Sequence, residues 1–233
     1  MTRWKLCGLK RRQDIELVNR YLPDYVGFVF AQSPRQVTPK QAADLRGLLK
    51  PEILPVGVFV NAEIEAIAAL VEEGTIAAVQ LHGDETVDYV MKLQQRLERI
   101  AGINRLKADR TAEPVRQGTL IKAIRVFSVQ EVKKALAYPA CYLLFDTYTK
   151  GQYGGSGKCF DWQLLKEIER PYFLAGGLSA ENVEEAIKEV RPFCVDISSG
   201  AETNGIKDEE KIRCLVEKVR RFKMEERMEG KNE

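Results

Sequence analysis

Residues 143–162 read LLFDTYTKGQYGGSGKCFDW. A short apolar run reaches a carboxylate at Asp146, crosses a loop with glycines at 151, 154, 155 and 157, and enters an amphipathic segment at Phe160. A buried strand that ends in an acid and passes through a glycine loop into a helix is how a parallel α/β fold offers a proton donor at a strand's carboxyl end. Two familiar glycine motifs fail here on spacing. A phosphate loop of the GxxxxGK[ST] type needs Gly where Gln152 stands and Ser or Thr where Cys159 stands. A nucleophile elbow centred on Ser156 needs Gly at 158, which is Lys. Taken alone, the glycines also fit an exposed surface loop, so the flanking segments decide.

Those segments repeat the same pattern. Apolar runs that read as strands alternate with amphipathic stretches that read as helices: 4–7 then 11–21, 25–30 then 39–49, 55–60 then 62–73, 77–81 then 84–98, 119–126 then 128–137, 141–145 then 160–168, 172–175 then 180–190, and 193–197 then 208–222. Helix starts are marked by Thr38 before Pro39, by Ser128 with Glu131 three residues on, and by Ser179 with Asn182. Alternating βα units imply parallel strands joined by helical crossovers. Eight of them in 233 residues fit a single-domain α/β protein, a (β/α)8 TIM barrel over 1–222, better than the alternative of an open doubly wound sheet. The charged end, 223–233, is expected to fray. The stretch 98–118 reads as a helix end and an exposed loop without a function.

Composition narrows the partners. With 36 basic and 34 acidic residues the formal charge is +2, which leaves no electrostatic footprint for nucleic acid or an anionic membrane. The start, MTRWKLCGLKRR, lacks the apolar core of a signal peptide, and no run is long enough to span a membrane, so the chain reads as a soluble cytoplasmic protein. Its five cysteines include no CxxC pair, and His82 is the only histidine, so neither a disulfide framework nor a two-histidine metal site is indicated. No metal is expected. Monomer and homodimer both remain open.

The barrel reading puts chemistry where strands run into loops. There the sequence offers Cys7 and Gly8, Arg35, Gln80 and His82, Asp146, Gly176 and Gly177, and then Asp196, Ser198, Ser199 and Gly200. The two small-residue loops after the last strands let backbone N–H groups approach an anion, so a phosphorylated small molecule is the expected ligand; tight turns that merely need glycine are the alternative. Cys7 is either an inert buried thiol or a base whose pKa is lowered, with Lys5 on the same side of the strand able to help. Asp146 would need the opposite adjustment to donate a proton. Base and acid pushed apart in this way suit proton-transfer catalysis. Arg35 can clamp a ligand carboxylate or be a solvated loop arginine, and His82 can be catalytic or a satisfied rim histidine.

With these residues in place, the sequence resembles the phosphoribosylanthranilate isomerase family. The matching motifs are KLCGLKR at 5–11, GFVFAQSPRQV at 27–37, GVFVN at 57–61, VQLHGDE at 79–85, LLFDT at 143–147, GGSGKCFDW at 154–162, LAGGLSAENV at 174–183 and DISSGAETNGIKD at 196–208. The resemblance implies an eight-stranded barrel and a cofactor-free Amadori rearrangement of phosphoribosylanthranilate. It implies Cys7 as general base, Asp146 as general acid, and Arg35 on the anthranilate carboxylate. Gly176, Gly177, Ser198, Ser199 and Gly200 would hold the phosphate, while His82 and Asp196 would line the site. Cys159 departs from the family pattern, where Thr is usual, and 98–118 is longer than typical. A related sugar isomerisation of histidine synthesis would put a carboxylate at position 7, and a barrel that only binds phosphate ligands would not need Cys7 and Asp146.

Overall fold

The first strand, β1 (Arg3–Cys7), is sealed at both edges, by β2 (Tyr25–Val29) on one side and by the last barrel strand, β8 (Cys194–Ile197), on the other. That second pairing closes the ring. Between them run β3 (Leu54–Phe59), β4 (Ala78–Leu81), β5 (Thr119–Val126), β6 (Tyr142–Thr147) and β7 (Tyr172–Leu174), each parallel to its neighbour, in a closed barrel of order β1 to β8. These relationships come from a computed structural model that describes residues 2–105, 119–140, 142–147, 162–166 and 168–229.

Strand alternation builds two cores from one sheet. Tyr25, Val56, Ala78, Ile121, Leu144, Phe173 and Cys194 pack together inside the ring. Residues of the other parity, among them Leu6, Phe28, Val79, Leu120, Phe145 and Val195, meet the surrounding helices. Those helices are α1 (Arg12–Tyr21), α2 (Pro39–Gly47), α3 (Ile64–Glu72), α4 (Val87–Arg105), α5 (Val129–Ala135), α6 (Val183–Val190) and α7 (Glu209–Glu229). A short 3-10 turn, Trp162–Leu165, lies between β6 and β7. The Thr38 hydroxyl accepts from Gln41 N, and Ser128 Oγ from Gln130 N, so both polar residues cap the helices they were expected to start.

The eight-stranded barrel is the expected fold, with local differences. Residues 162–165 form a 3-10 turn where a helix over 160–168 was anticipated. α4 starts at Val87, not at 84, because the Glu85 and Asn61 side chains take the Gly83 and Asp84 N–H groups into a loop. α7 runs to Glu229, into the stretch expected to fray; RFKMEERME is rich in strong helix formers. An antiparallel hairpin, β9 (Glu202–Thr203) and β10 (Ile206–Lys207), was not anticipated. Its turn, Asn204 and Gly205, has φ of 53° and 73°, the left-handed pair that a two-residue hairpin requires. Cys141, the glycine loop over 148–161 with Cys159, and residues 106–118 lie outside the described residues. Among those described, no helix is long and apolar enough to cross a membrane.

Inside the ring, Phe173 is almost fully buried, its ring centroid 5.5 Å from Tyr25, 5.6 Å from Tyr142 and 5.7 Å from Phe193. Phe173→Ala should cost roughly 3–5 kcal/mol in urea unfolding. A loss below about 1 kcal/mol would mean that this end of the barrel is not close-packed.

Candidate active site

At the carboxyl ends of the strands lies a cavity of about 410 Å³. Its wall follows from the inward parity of each strand: Cys7 from β1, Val29 from β2, Val58 from β3, Gln80 from β4, Asp146 from β6 and Asp196 from β8. Arg35, His82, Gly176, Gly177, Ser198 and Ser199 complete the lining from the loops. Every expected site residue but one therefore reaches a single cavity. Gly200 is the exception. It bridges to Ser179, and a Cβ there would fall 2.0 Å from the Leu178 carbonyl oxygen, so its bareness lets the loops after β7 and β8 touch.

Cys7 is buried, lines the cavity, and faces Gly27 across the β1–β2 register. Lys5, two residues back on the same face, gives Asp196 Oδ2 a 2.7 Å hydrogen bond, with both side chains buried. Burial raises the Cys7 thiol pKa; Lys5 and Lys207 pull it down, Asp196 pushes it up, and the net effect is a rise. The lowered thiol pKa anticipated from Lys5 is thus not found, because burial outweighs the pull of Lys5, whose charge Asp196 already matches. For Lys5 itself burial acts downward, yet Asp196 and Cys7 more than offset it and the ammonium is held above its ordinary range.

Asp146 faces His82, whose Nε2 is 3.1 Å from its Oδ2, off the line of a hydrogen bond. Gln80 Nε2 lies 2.9 Å from His82 Nδ1. With the Gln80 amide donating, Nδ1 is the acceptor of that bond. Arg35 is not a solvated loop arginine. Its Nε and Nη2 donate to the two Glu202 oxygens at 2.8 and 2.7 Å, and Lys207 Nζ reaches Glu202 Oε1 at 2.7 Å. Burial alone would raise the Glu202 pKa, but Arg35 and Lys207 bring it down to about 2. Gly176 and Gly177 adopt φ of 87° and 69°, left-handed values that suit glycine and turn the backbone around the cavity rim.

Several contributors were not picked out from the sequence. Sequence alone puts Gln80 at the rim without a role and does not single out Glu202 or Lys207. The signal for the pair was the Asn-Gly turn within ETNGIK, which places positions 202 and 207 opposite each other on a hairpin. The apolar wall of Val29, Val58 and Val60 gave no signal beyond that of ordinary strand residues.

A closed barrel with a cavity at the carboxyl ends of its strands, into which a few polar side chains converge, is the architecture of a (β/α)8-barrel enzyme. The family described as N-(5'phosphoribosyl)anthranilate (PRA) isomerase matches residues 4–218. A relative from Endomicrobium trichonymphae, named N-(5'-phosphoribosyl)anthranilate isomerase, is 46% identical over 212 residues, spanning 91% of this chain and 95% of that protein. The solved phosphoribosyl anthranilate isomerase of Thermotoga maritima superposes with a TM-score of 0.79 at 34% identity, covering 94% of this chain and 99% of that one. Another solved structure of such an isomerase, in complex with reduced 1-(o-carboxyphenylamino)-1-deoxyribulose 5-phosphate, gives 0.76 at 33% identity, with coverage of 94% and 99%. The chain belongs to the N-(5'-phosphoribosyl)anthranilate isomerase family.

The seat of Cys7 gives a direct test. A Cβ on Gly27 would lie 2.5 Å from the Cys7 sulfur and 3.0 Å from its Cα, so Gly27→Ala must displace the thiol. Isomerase kcat/KM should fall about 10²-fold while circular dichroism stays native, since ångström-scale misplacement costs that much. Unchanged kcat/KM would show that the position of the thiol does not matter.

Proposed function

We propose that this cavity performs the Amadori rearrangement of N-(5′-phosphoribosyl)anthranilate to 1-(2-carboxyphenylamino)-1-deoxyribulose 5-phosphate, a step of tryptophan biosynthesis, with Cys7 as general base and Asp146 as general acid. The observation that carries this reading is that the thiol and the carboxyl, 139 positions apart in the chain (146 − 7), line one cavity together with Arg35 and both small-residue loops. The strands that bear them, β1 and β6, are separated around the ring only by β7 and β8.

In this reading Asp146 gives its proton to the ribose ring oxygen. The bond between that oxygen and C1′ breaks, and the anthranilate nitrogen lone pair forms an iminium. Cys7, as thiolate, removes the proton from C2′, and the electron pair moves into an enolamine, which regains a proton at C1′ from the Cys7 thiol and gives up its C2′ hydroxyl proton to the Asp146 carboxylate, becoming the ketone and restoring both groups. The iminium answers the difficulty raised by burial of the thiol. It is a cation beside C2′, so it acidifies that carbon and favours thiolate at the moment of transfer. His82 faces Asp146 and lines the site beside it. Glu202 occupies the Nε edge of Arg35, and the Nη1 edge of the guanidinium remains for a bidentate grip on the anthranilate carboxylate. Gly176, Gly177, Ser198 and Ser199 receive the phosphate, with no cofactor in the scheme.

Incubation with freshly prepared phosphoribosylanthranilate, following the loss of its fluorescence, tests the reaction. Cys7→Ala and Asp146→Asn should each lower kcat by about 10²-fold or more with a smaller change in KM, the usual worth of a positioned proton-transfer group. Near-normal turnover by either purified variant would remove its assignment. Arg35→Ala should instead raise KM strongly; an unaltered KM would rule out the clamp.

The thiol also sets a pH dependence. A base must be deprotonated to act, and the Cys7 pKa is raised, so kcat/KM, which reports the free enzyme, should climb with pH on the alkaline side of neutrality. A profile that falls over that range would contradict a Cys7 base.

A further inference from the structure

We propose that Glu202 is a positioning residue for this reaction: from the hairpin that follows β8 it grips one edge of Arg35 and so aims the other edge at the substrate's carboxylate. This rests on the carboxylate-binding reading of Arg35 given above and goes beyond it by naming the residue that makes the clamp rigid.

Four observations converge on Glu202. Both of its carboxylate oxygens are engaged by Arg35, at 2.8 and 2.7 Å, which fixes the plane of the guanidinium as well as its position. Its side chain is only 5% exposed, so the pair is shielded from the solvent that makes surface ion pairs weak. Lys207, on the facing hairpin strand and itself buried, donates to the same carboxylate at 2.7 Å and to the Ser198 carbonyl at 3.0 Å, tying the anchor to a loop that lines the cavity. Lys211 Nζ holds the Glu202 carbonyl from α7 at 2.6 Å, so the hairpin is pinned from behind.

The other side of Arg35 is shaped to match. Gly8, directly after Cys7, has φ of 85°, and a Cβ there would fall 2.4 Å from Arg35 Cδ. The arginine stem therefore lies over the bare backbone next to the thiol, which is where a substrate joined to both would have to pass. A long arginine alone samples many rotamers; one gripped on its Nε edge and bedded on Gly8 keeps Nη1 in place before the ligand arrives, which lowers the ordering cost of binding. A hairpin that served only to finish the fold would not need to begin its first strand with a carboxylate shared by two cations.

The test is Glu202→Gln, with Arg35→Ala and the double variant, assayed on phosphoribosylanthranilate. Gln keeps the shape and one acceptor but loses the charge and the second oxygen. KM should rise about tenfold or more, the scale of one charge-assisted hydrogen bond, with kcat within about threefold of the parent. Adding Glu202→Gln to Arg35→Ala should then change KM by less than about twofold, because the effect acts through Arg35. If Glu202→Gln does not fold, Glu202→Asp, which keeps the charge and withdraws it by one methylene, should show the same split between KM and kcat. Unchanged KM in the single variant, a loss confined to kcat, or full additivity in the double variant would overturn the positioning role. Absence of turnover by the parent chain would overturn the functional reading and this inference with it, whereas turnover with an unaltered Glu202→Gln overturns the inference alone.

Discussion

The buried ion pair of Lys5 and Asp196 sits where the eighth strand closes on the first, and most of the site is arranged around it. The two residues are direct register partners across the β1–β8 seam, and their side chains meet at 2.7 Å inside the ring. A barrel interior of this kind is otherwise filled with Tyr25, Val56, Ile121, Leu144 and Phe173. Taking two charges out of water there costs several kcal/mol per ion, and their attraction offsets this only if both are present; removing one partner of such a pair typically costs about 3–5 kcal/mol. The pair thus welds the seam and divides the ring into an apolar floor and a polar mouth. Cys7 and Ser198, each two residues further along its strand or loop, emerge just above it.

From this seam the charges alternate outward. Lys5 faces Asp196, Cys7 feels both, and Lys207 stands between Cys7 and Glu202, which in turn holds Arg35. Each cation near the thiol is already engaged by a carboxylate. That is why burial wins at Cys7 and its pKa rises in the free enzyme. In the proposed chemistry the iminium is a further cation beside the thiol, one that no carboxylate has yet matched, and it favours the thiolate form. Rigid strands supply Cys7, Gln80, Asp146 and Asp196, while the loops supply Arg35 and the glycine- and serine-bearing backbone proposed to receive the phosphate.

Much of this was legible from local pattern. Alternating apolar runs and amphipathic stretches specify parallel βα units because both periodicities are imposed by backbone geometry, and strand parity then sends Lys5, Cys7, Gln80 and Asp146 to one side. The barrel, its strand order and the gathering of the rim residues follow. What the pattern did not carry was pairing between distant side chains. Nothing local to Arg35 says that its partner is Glu202, 167 positions away. Nothing local to Lys5 says that its charge is already matched by Asp196. The thiol pKa was misjudged for that reason: proximity of a lysine in sequence was legible, its neutralisation by a residue from the far end of the chain was not. Nothing local to Gly200 says that its bareness answers to the Leu178 carbonyl of the adjacent loop. The extension of α7 to Glu229, by contrast, was within reach of propensity alone.

The most direct measurement is a crystal structure of this chain soaked with reduced 1-(2-carboxyphenylamino)-1-deoxyribulose 5-phosphate. Proton transfer to Cys7 requires its sulfur to lie roughly 3.5 Å from C2′, with the Asp146 carboxyl on the opposite side of the sugar chain near the former ring oxygen. The carboxylate should rest on the Nη1 edge of Arg35 and the phosphate against the backbone of Gly177 and Ser199. A ligand bound in the same cavity with C2′ turned away from Cys7, or with its phosphate on Arg35 and its carboxylate on the small-residue loops, would contradict these assignments.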